Sequence, residues 1–174
     1  MVLAASLLLK ALAVPLLARI AWLDFTTQKI SNRDVLLLLC LGLGSLLLSS
    51  VAAGSWWDMW LSAAAGLAVF VVLFPFWTLR KIGAGDVKLM AVVPFLIGGA
   101  DLVVFSVLLL IFALVTAMVV KNPLMLPGGA FRLYVQLLDR KGVVPFGVPI
   151  SVASICTITF QIYGNAMVLG GLSV

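Results

Sequence analysis

The sequence predicts an all-α, polytopic membrane bundle of about six helices, with a short interfacial helix between the last two. Three observations carry that expectation. Hydrophobic residues make up 64% of the chain and charged residues only 10%, against about 25% charged in an ordinary soluble domain. A water-soluble fold of 174 residues has too little interior to hide so much apolar surface, whereas lipid gives an apolar helix face no reason to turn inward. The apolar residues also come in runs, several close to the roughly 20 residues of a bilayer crossing. Basic residues, finally, fall almost entirely in alternate connections, which is the asymmetry of cytoplasmic loops.

The six segments are Val2–Leu23, Val35–Ser50, Trp57–Leu79, Val87–Ile97, Leu102–Val120 and Val148–Leu169. The second and fourth are short. The fourth, at 11 residues, cannot cross alone as a straight helix and needs its glycine-rich flanks or shelter inside the protein. The first is expected to be a retained helix. A cleaved signal peptide has a basic start and a shorter apolar core, but here Lys10 sits inside the apolar run and Arg19 near its end.

Lys29 and Arg33 follow the first segment, and Arg80, Lys81 and Lys88 surround the third connection. Lys121, Arg132, Arg140 and Lys141 lie between the fifth and sixth segments. The connections Ser49–Asp58 and Gly98–Asp101 contain no Lys or Arg. The basic connections are therefore expected inside and both chain ends outside. Lys10 is the exception, and snorkelling outward is one account of it. Phe131, Tyr134, Val135 and Leu138 recur at three- and four-residue intervals among Arg132, Gln136, Asp139 and Arg140. That pattern fits a helix lying in the membrane interface as well as it fits a plain loop with an incidental stripe. No repeat divides the chain, so residues 1–174 read as a single membrane-embedded domain.

Composition excludes several chemistries. There is no histidine and no glutamate, so His-based triads and His metal sites are out, and no metal or cofactor is expected. Cys40 and Cys156 stand in apolar runs with no Cys-x-x-Cys pair, as core thiols do. The net charge of +5 belongs to membrane loops, and no nucleic-acid partner is indicated. Membrane lipid is the expected surrounding.

Six aspartates are the whole acidic inventory. Asp58 and Asp101 belong to the outer connections, as loop residues or helix caps. Asp139 adjoins Arg140 and Lys141 and reads as a solvated, paired charge. Asp34 opens the second segment, where an N-cap or first-turn role suffices. Asp24 and Asp86 differ. Asp24 directly follows Ala21-Trp22-Leu23, and Asp86 stands where an apolar helix begins. One ends the first helix and the other begins the fourth, so both lie at one membrane level. A carboxylate there is costly and marks function by default. Two adjacent carboxyls share one proton; the ionised one takes a proton from water and the protonated one donates to a carbonyl oxygen. That is peptide hydrolysis without a metal. Gly83 and Gly85 suit it by allowing unusual backbone geometry and close approach of a substrate strand. A tight turn with Asp86 as a helix cap accounts for Gly-x-Gly-Asp equally well. Lys88 either lowers the pair's pKa or binds a substrate carboxylate, or it is a cytoplasmic anchor.

At these residues the chain resembles the type 4 prepilin peptidases, GxGD membrane aspartic proteases. Gly83-Ala84-Gly85-Asp86-Val87-Lys88-Leu89-Met90-Ala91 resembles the family's second catalytic block. Asp24-Phe25-Thr26-Thr27-Gln28-Lys29-Ile30-Ser31-Asn32 resembles the first, with Ser31 where proline is usual and Asn32 closing the block. Val144-Pro145-Phe146-Gly147-Val148 resembles a late block before the last helix, adding Pro145 and Gly147. The resemblance implies a peptidase of the bacterial inner membrane, with Asp24 and Asp86 catalytic, that removes a short leader from pilin or pseudopilin precursors at the cytoplasmic face. The larger members of that family also methylate the new N-terminus and carry a cytoplasmic insert with paired cysteines; this chain has neither those cysteines nor room for the insert, so N-methylation is not expected. The chain is similar to the short TadV/CpaA-like branch serving Tad/Flp pili. A small transporter or proton channel could use the same aspartates as a relay, but it should show paired repeats with broken helices. A signal-peptide-peptidase-like enzyme would have tyrosine where Leu23 stands, and a pure assembly subunit would need no aspartate pair.

Overall fold

The computed structural model describes residues 1–122, 129, 132–133, 135–137 and 145–169. It is an all-α bundle: α1 Val2–Thr27, α2 Asn32–Ala53, α3 Trp57–Thr78, α4 Ala84–Ile97, α5 Leu102–Lys121 and α6 Gly147–Leu169. Five of these (all but α4) are long and apolar enough to cross a membrane. The expected six crossings thus resolve into five full-length helices and one short one. At 14 residues and 1.5 Å per residue, α4 is about 21 Å long, well short of the roughly 30 Å hydrocarbon core.

The short helix sits inside the bundle. Seven of its 14 residues are buried, from Val87 to Ile97. It packs against α2 and α3 and also touches α5 and α6, while α1 packs against α2 and α6. Close approach explains how α4 is held. A Cβ at Gly66 of α3 would lie 2.7 Å from the Ala91 carbonyl oxygen, and one at Gly42 of α2 would lie 3.0 Å from the α4 backbone. Small residues let backbones meet where lipid supplies no hydrophobic drive between helices. The outer helices are the reverse: Leu67, Val71 and Val72 of α3, and Val103, Leu110 and Leu114 of α5, are all exposed, as lipid-facing residues must be. Cys40 also lies on an exposed face and Cys156 is half-buried, so Cys40 is not the core thiol expected.

The helix ends run past the apolar runs because polar residues satisfy them. α1 continues to Thr27, closed by Gln28 in a left-handed conformation (φ 56) whose N–H bonds to the Asp24 carbonyl. α2 starts three residues earlier than the apolar run, at Asn32, because Ser31 caps it and its side chain accepts from the Arg33 N–H. The φ of Ser31 is −71, within the range proline enforces. Serine therefore keeps the proline-like backbone and adds a capping oxygen. Asp139 and most of the stretch between α5 and α6 lie outside the described residues. Arg132, Leu133, Val135, Gln136 and Leu137 are helical, with Val135 buried.

Candidate active site

Asp24 stands in the last turn of α1 and Asp86 in the first turn of α4. Both side chains line one cleft of about 470 Å³, together with Gln28, Trp77, Arg80, Lys81 and Phe146. The sequence placed the two acids at one membrane level; the fold brings them into one cavity. Asp34 does not join them. It is buried in the first turn of α2 and forms an ion pair with Arg19 of α1 at 3.1 Å. The first-turn position was legible, but the Arg19 partner was not.

Asp24 is 5% exposed. The backbone N–H groups of Gly147 and Val148, in the first turn of α6, act on its carboxylate. Burial penalises a charged carboxylate there, and the start of α6, with its unpaired N–H groups and partial positive charge, offsets part of that cost. Its Oδ2 is buried and has no hydrogen-bond partner among the described residues. An unsatisfied buried carboxylate oxygen calls for a partner such as water.

Asp86 occupies the third position of α4, after the Gly83 cap. The α4 segment does not itself cross the membrane. Burial pushes the Asp86 carboxyl up to about 6; the Asp24 charge adds to the rise and the Gly83 N–H opposes it. That N–H contact is the reciprocal half of a capping box. The cap reading of Asp86 is therefore part of the geometry, and it leaves the carboxyl facing the cleft.

The two glycines give space and do not take unusual backbone angles. Gly83 has φ −66, open to any residue. A Cβ there would lie 2.9 Å from Asp86 Oδ2, and one at Gly85 would lie 2.9 Å from the Ile30 Cβ. At Gly147 a Cβ would lie 2.8 Å from both Cγ and Oδ2 of Asp24. Pro145 lines the cleft just before it. Lys88 reaches neither carboxylate by hydrogen bond; it donates to Asn32 Oδ1 at 3.1 Å and so ties α4 to the start of α2. Sequence reasoning missed Gln28 and Arg80 as cleft residues. Both are non-glycine residues at positive φ (each 56) and both line the cleft. Such strain costs roughly 1–2 kcal/mol and collects at functional sites. No group of three or more acidic or cysteine side chains able to hold a metal occurs among the described residues.

An acid that keeps its proton to about pH 6, beside a carboxylate with an unfilled oxygen, has the equipment to take a proton from water and pass one to a carbonyl oxygen. Fold and cleft together define a polytopic helical membrane protein with a carboxylate pair at its basic end. The sequence profile of the type IV leader peptidase family matches residues 11–120, more than half of the chain, and the chain belongs to that family; it is a peptidase. The matched stretch contains Asp24, Asn32, Gly83, Gly85, Asp86 and Lys88, and ends before Pro145 and Gly147. No curated protein and no solved structure matches the chain.

Proposed function

We propose that this chain is an aspartic endopeptidase of the bacterial inner membrane, acting as one membrane-embedded domain that cleaves the short leader from pilin-like precursors. Asp24 and Asp86 share a proton: the ionised partner activates water and the protonated one donates to the scissile carbonyl oxygen. The observation that carries this reading is the common cleft of the two acids, at the end where α1 finishes and α4 begins. Gly83 leaves room for the Asp86 carboxyl, Gly147 for that of Asp24 and Gly85 for the Ile30 side chain, and Lys88 with Asn32 braces the two motif segments.

The test is leader release by the purified chain alone from a purified pilin precursor of the same organism. The pH profile has a predicted sign. Asp86 holds its proton below about 6 and loses it above, so kcat/KM should fall as pH rises through that value. Absence of cleavage by the pure chain, or a rate that climbs steadily across that range, would overturn the reading.

A second expected result concerns orientation. The cleft end carries Lys29, Arg33, Arg80, Lys81, Lys88 and Lys121, so reporter fusions in the Arg80–Lys88 connection should read as cytoplasmic and fusions at Ser55 as external. An external reading for Arg80–Lys88 would put the cleft on the wrong side for a leader that never leaves the cytoplasm.

A further inference from the structure

A second polar cluster lies at the opposite end of the bundle. Lys10 of α1 donates to Gln161 Oε1 of α6 at 2.7 Å and reaches the Ile97 carbonyl oxygen at 3.4 Å. Gln161 Nε2 donates to the same carbonyl at 2.7 Å and to Asp101, the residue that precedes α5. Asp101 and Asp58 both act on the Lys10 charge, and Asp58 Oδ1 in turn accepts from the Ala100 N–H at 2.8 Å. Ile97 is the last residue of α4. Its carbonyl is one of the terminal acceptors a helix cannot satisfy itself, and a cation beside it complements the helix dipole.

The same three helices therefore meet twice. In the cleft they meet at Asp24 of α1, Asp86 of α4 and the Gly147–Val148 backbone of α6. At the far end they meet at Lys10, Ile97 and Gln161. Fourteen residues separate Lys10 from Asp24, and fourteen separate Gly147 from Gln161, about 21 Å of helix in each case. Eleven separate Asp86 from Ile97, about 16 Å. A helix keeps its length closely even where a proline interrupts its ladder, as Pro15 does in α1 and Pro94 in α4, so a tie at one end constrains the axial register at the other. The short α4 needs such a tie, because it has too little length to be held at both membrane surfaces.

We infer that Lys10 and Gln161 are positioning residues: they lock the end of α4 to α1 and α6 and so set the depth at which Asp86 stands beside Asp24. The inference rests on the reading of those acids as the reacting pair. It also gives Lys10 a reason to sit inside an apolar run.

Gln161→Leu removes the tie with an apolar side chain of similar size, Lys10→Met removes the cation, and Lys10→Arg keeps a donor. In correctly inserted protein, Gln161→Leu and Lys10→Met should each lower kcat at least tenfold with KM changed less than twofold. Lys10→Arg should recover most of the rate, and the double variant should be little worse than the poorer single one, because the two residues act as one unit. A readout independent of cleavage is cross-linking of Asp24→Cys with Asp86→Cys by a short dithiol-reactive reagent, in a Cys40→Ser, Cys156→Ser background. Adding Gln161→Leu should slow that cross-link severalfold. Unchanged kcat and unchanged cross-linking in Gln161→Leu and Lys10→Met would overturn the inference, and so would a loss of protein yield with both rates intact in what remains. If Asp24→Asn or Asp86→Asn proves active, the peptidase pair fails, but the cross-linking rate still decides whether the far-end tie sets the register.

Discussion

Asp24→Asn and Asp86→Asn should each abolish leader cleavage while leaving a folded, membrane-inserted protein. The geometry supplies the reason. Both acids line the cleft, and each loses something different. Without the Asp24 carboxylate, the buried Oδ2 that lacks a partner can no longer take a proton from water. Without Asp86, the group whose proton is held to about pH 6 can no longer donate one. Neither loss can be made good locally, since the chain has no histidine or glutamate and Asp34 is committed to Arg19. The rate should fall at least about a thousandfold, roughly 4 kcal/mol of barrier. The double variant should be no worse than either single one, because residues that act as a unit are not additive. Asparagine keeps the carboxylate's shape and removes a costly buried charge, so folding should survive. Asp34→Asn is the control: it weakens a tie between α1 and α2 and should lower yield more than specific activity. The measurement is single-turnover leader release at matched protein levels. Substantial release by either Asp24→Asn or Asp86→Asn would remove the aspartic mechanism, and an inactive Asp34→Asn beside an active Asp24→Asn would name Asp34 as the partner instead.

The helices were legible because lipid makes a strong demand on composition: long apolar runs can hardly be anything else. Their ends were less so. Asp24 reads as the residue after a helix, yet it lies within α1, because Gln28 four residues on takes the left-handed turn that closes it. Topology alone put Asp24 and Asp86 at one membrane level, since the basic connections alternate; their meeting in one cleft comes from the fold. What the sequence could not carry were contacts between residues far apart in it. Asn32 and Lys88 each stood out in a motif, but nothing local says that they touch. Lys10 looked anomalous because its partners, Gln161 and the Ile97 carbonyl, lie far along the chain. For Gly83 and Gly85 a one-dimensional pattern suggests backbone freedom, whereas Gly83 has an ordinary φ of −66 and the atoms nearest to where a Cβ would stand are side-chain atoms of Asp86 and Ile30.

Gly147 tests that last point most sharply. Its neighbour in space is not in its own segment but in α1, where Cγ and Oδ2 of Asp24 lie 2.8 Å, and Cβ 2.9 Å, from where a Cβ on residue 147 would stand. Swinging the Asp24 side chain about its Cα–Cβ bond relieves the first two contacts but not the third. Gly147→Ala must therefore turn Asp24 and also shift either the start of α6 or the end of α1. Each movement disturbs the N–H groups of Gly147 and Val148 that act on the carboxylate and alters its placement against Asp86. Displacements of about 1 Å at a reacting group can cost roughly a hundredfold in rate, and that is the expected loss for Gly147→Ala, with a larger one for Gly147→Val. The rest of α6 should be untouched, so membrane insertion should stay normal. Gly164 supplies the comparison on the same helix, since a Cβ there would meet nothing within 4 Å and Gly164→Ala should cleave at the parent rate. Parent-level cleavage by Gly147→Val would mean that Asp24 does not need the close approach of α6, and the start of that helix would then lose its place in the site.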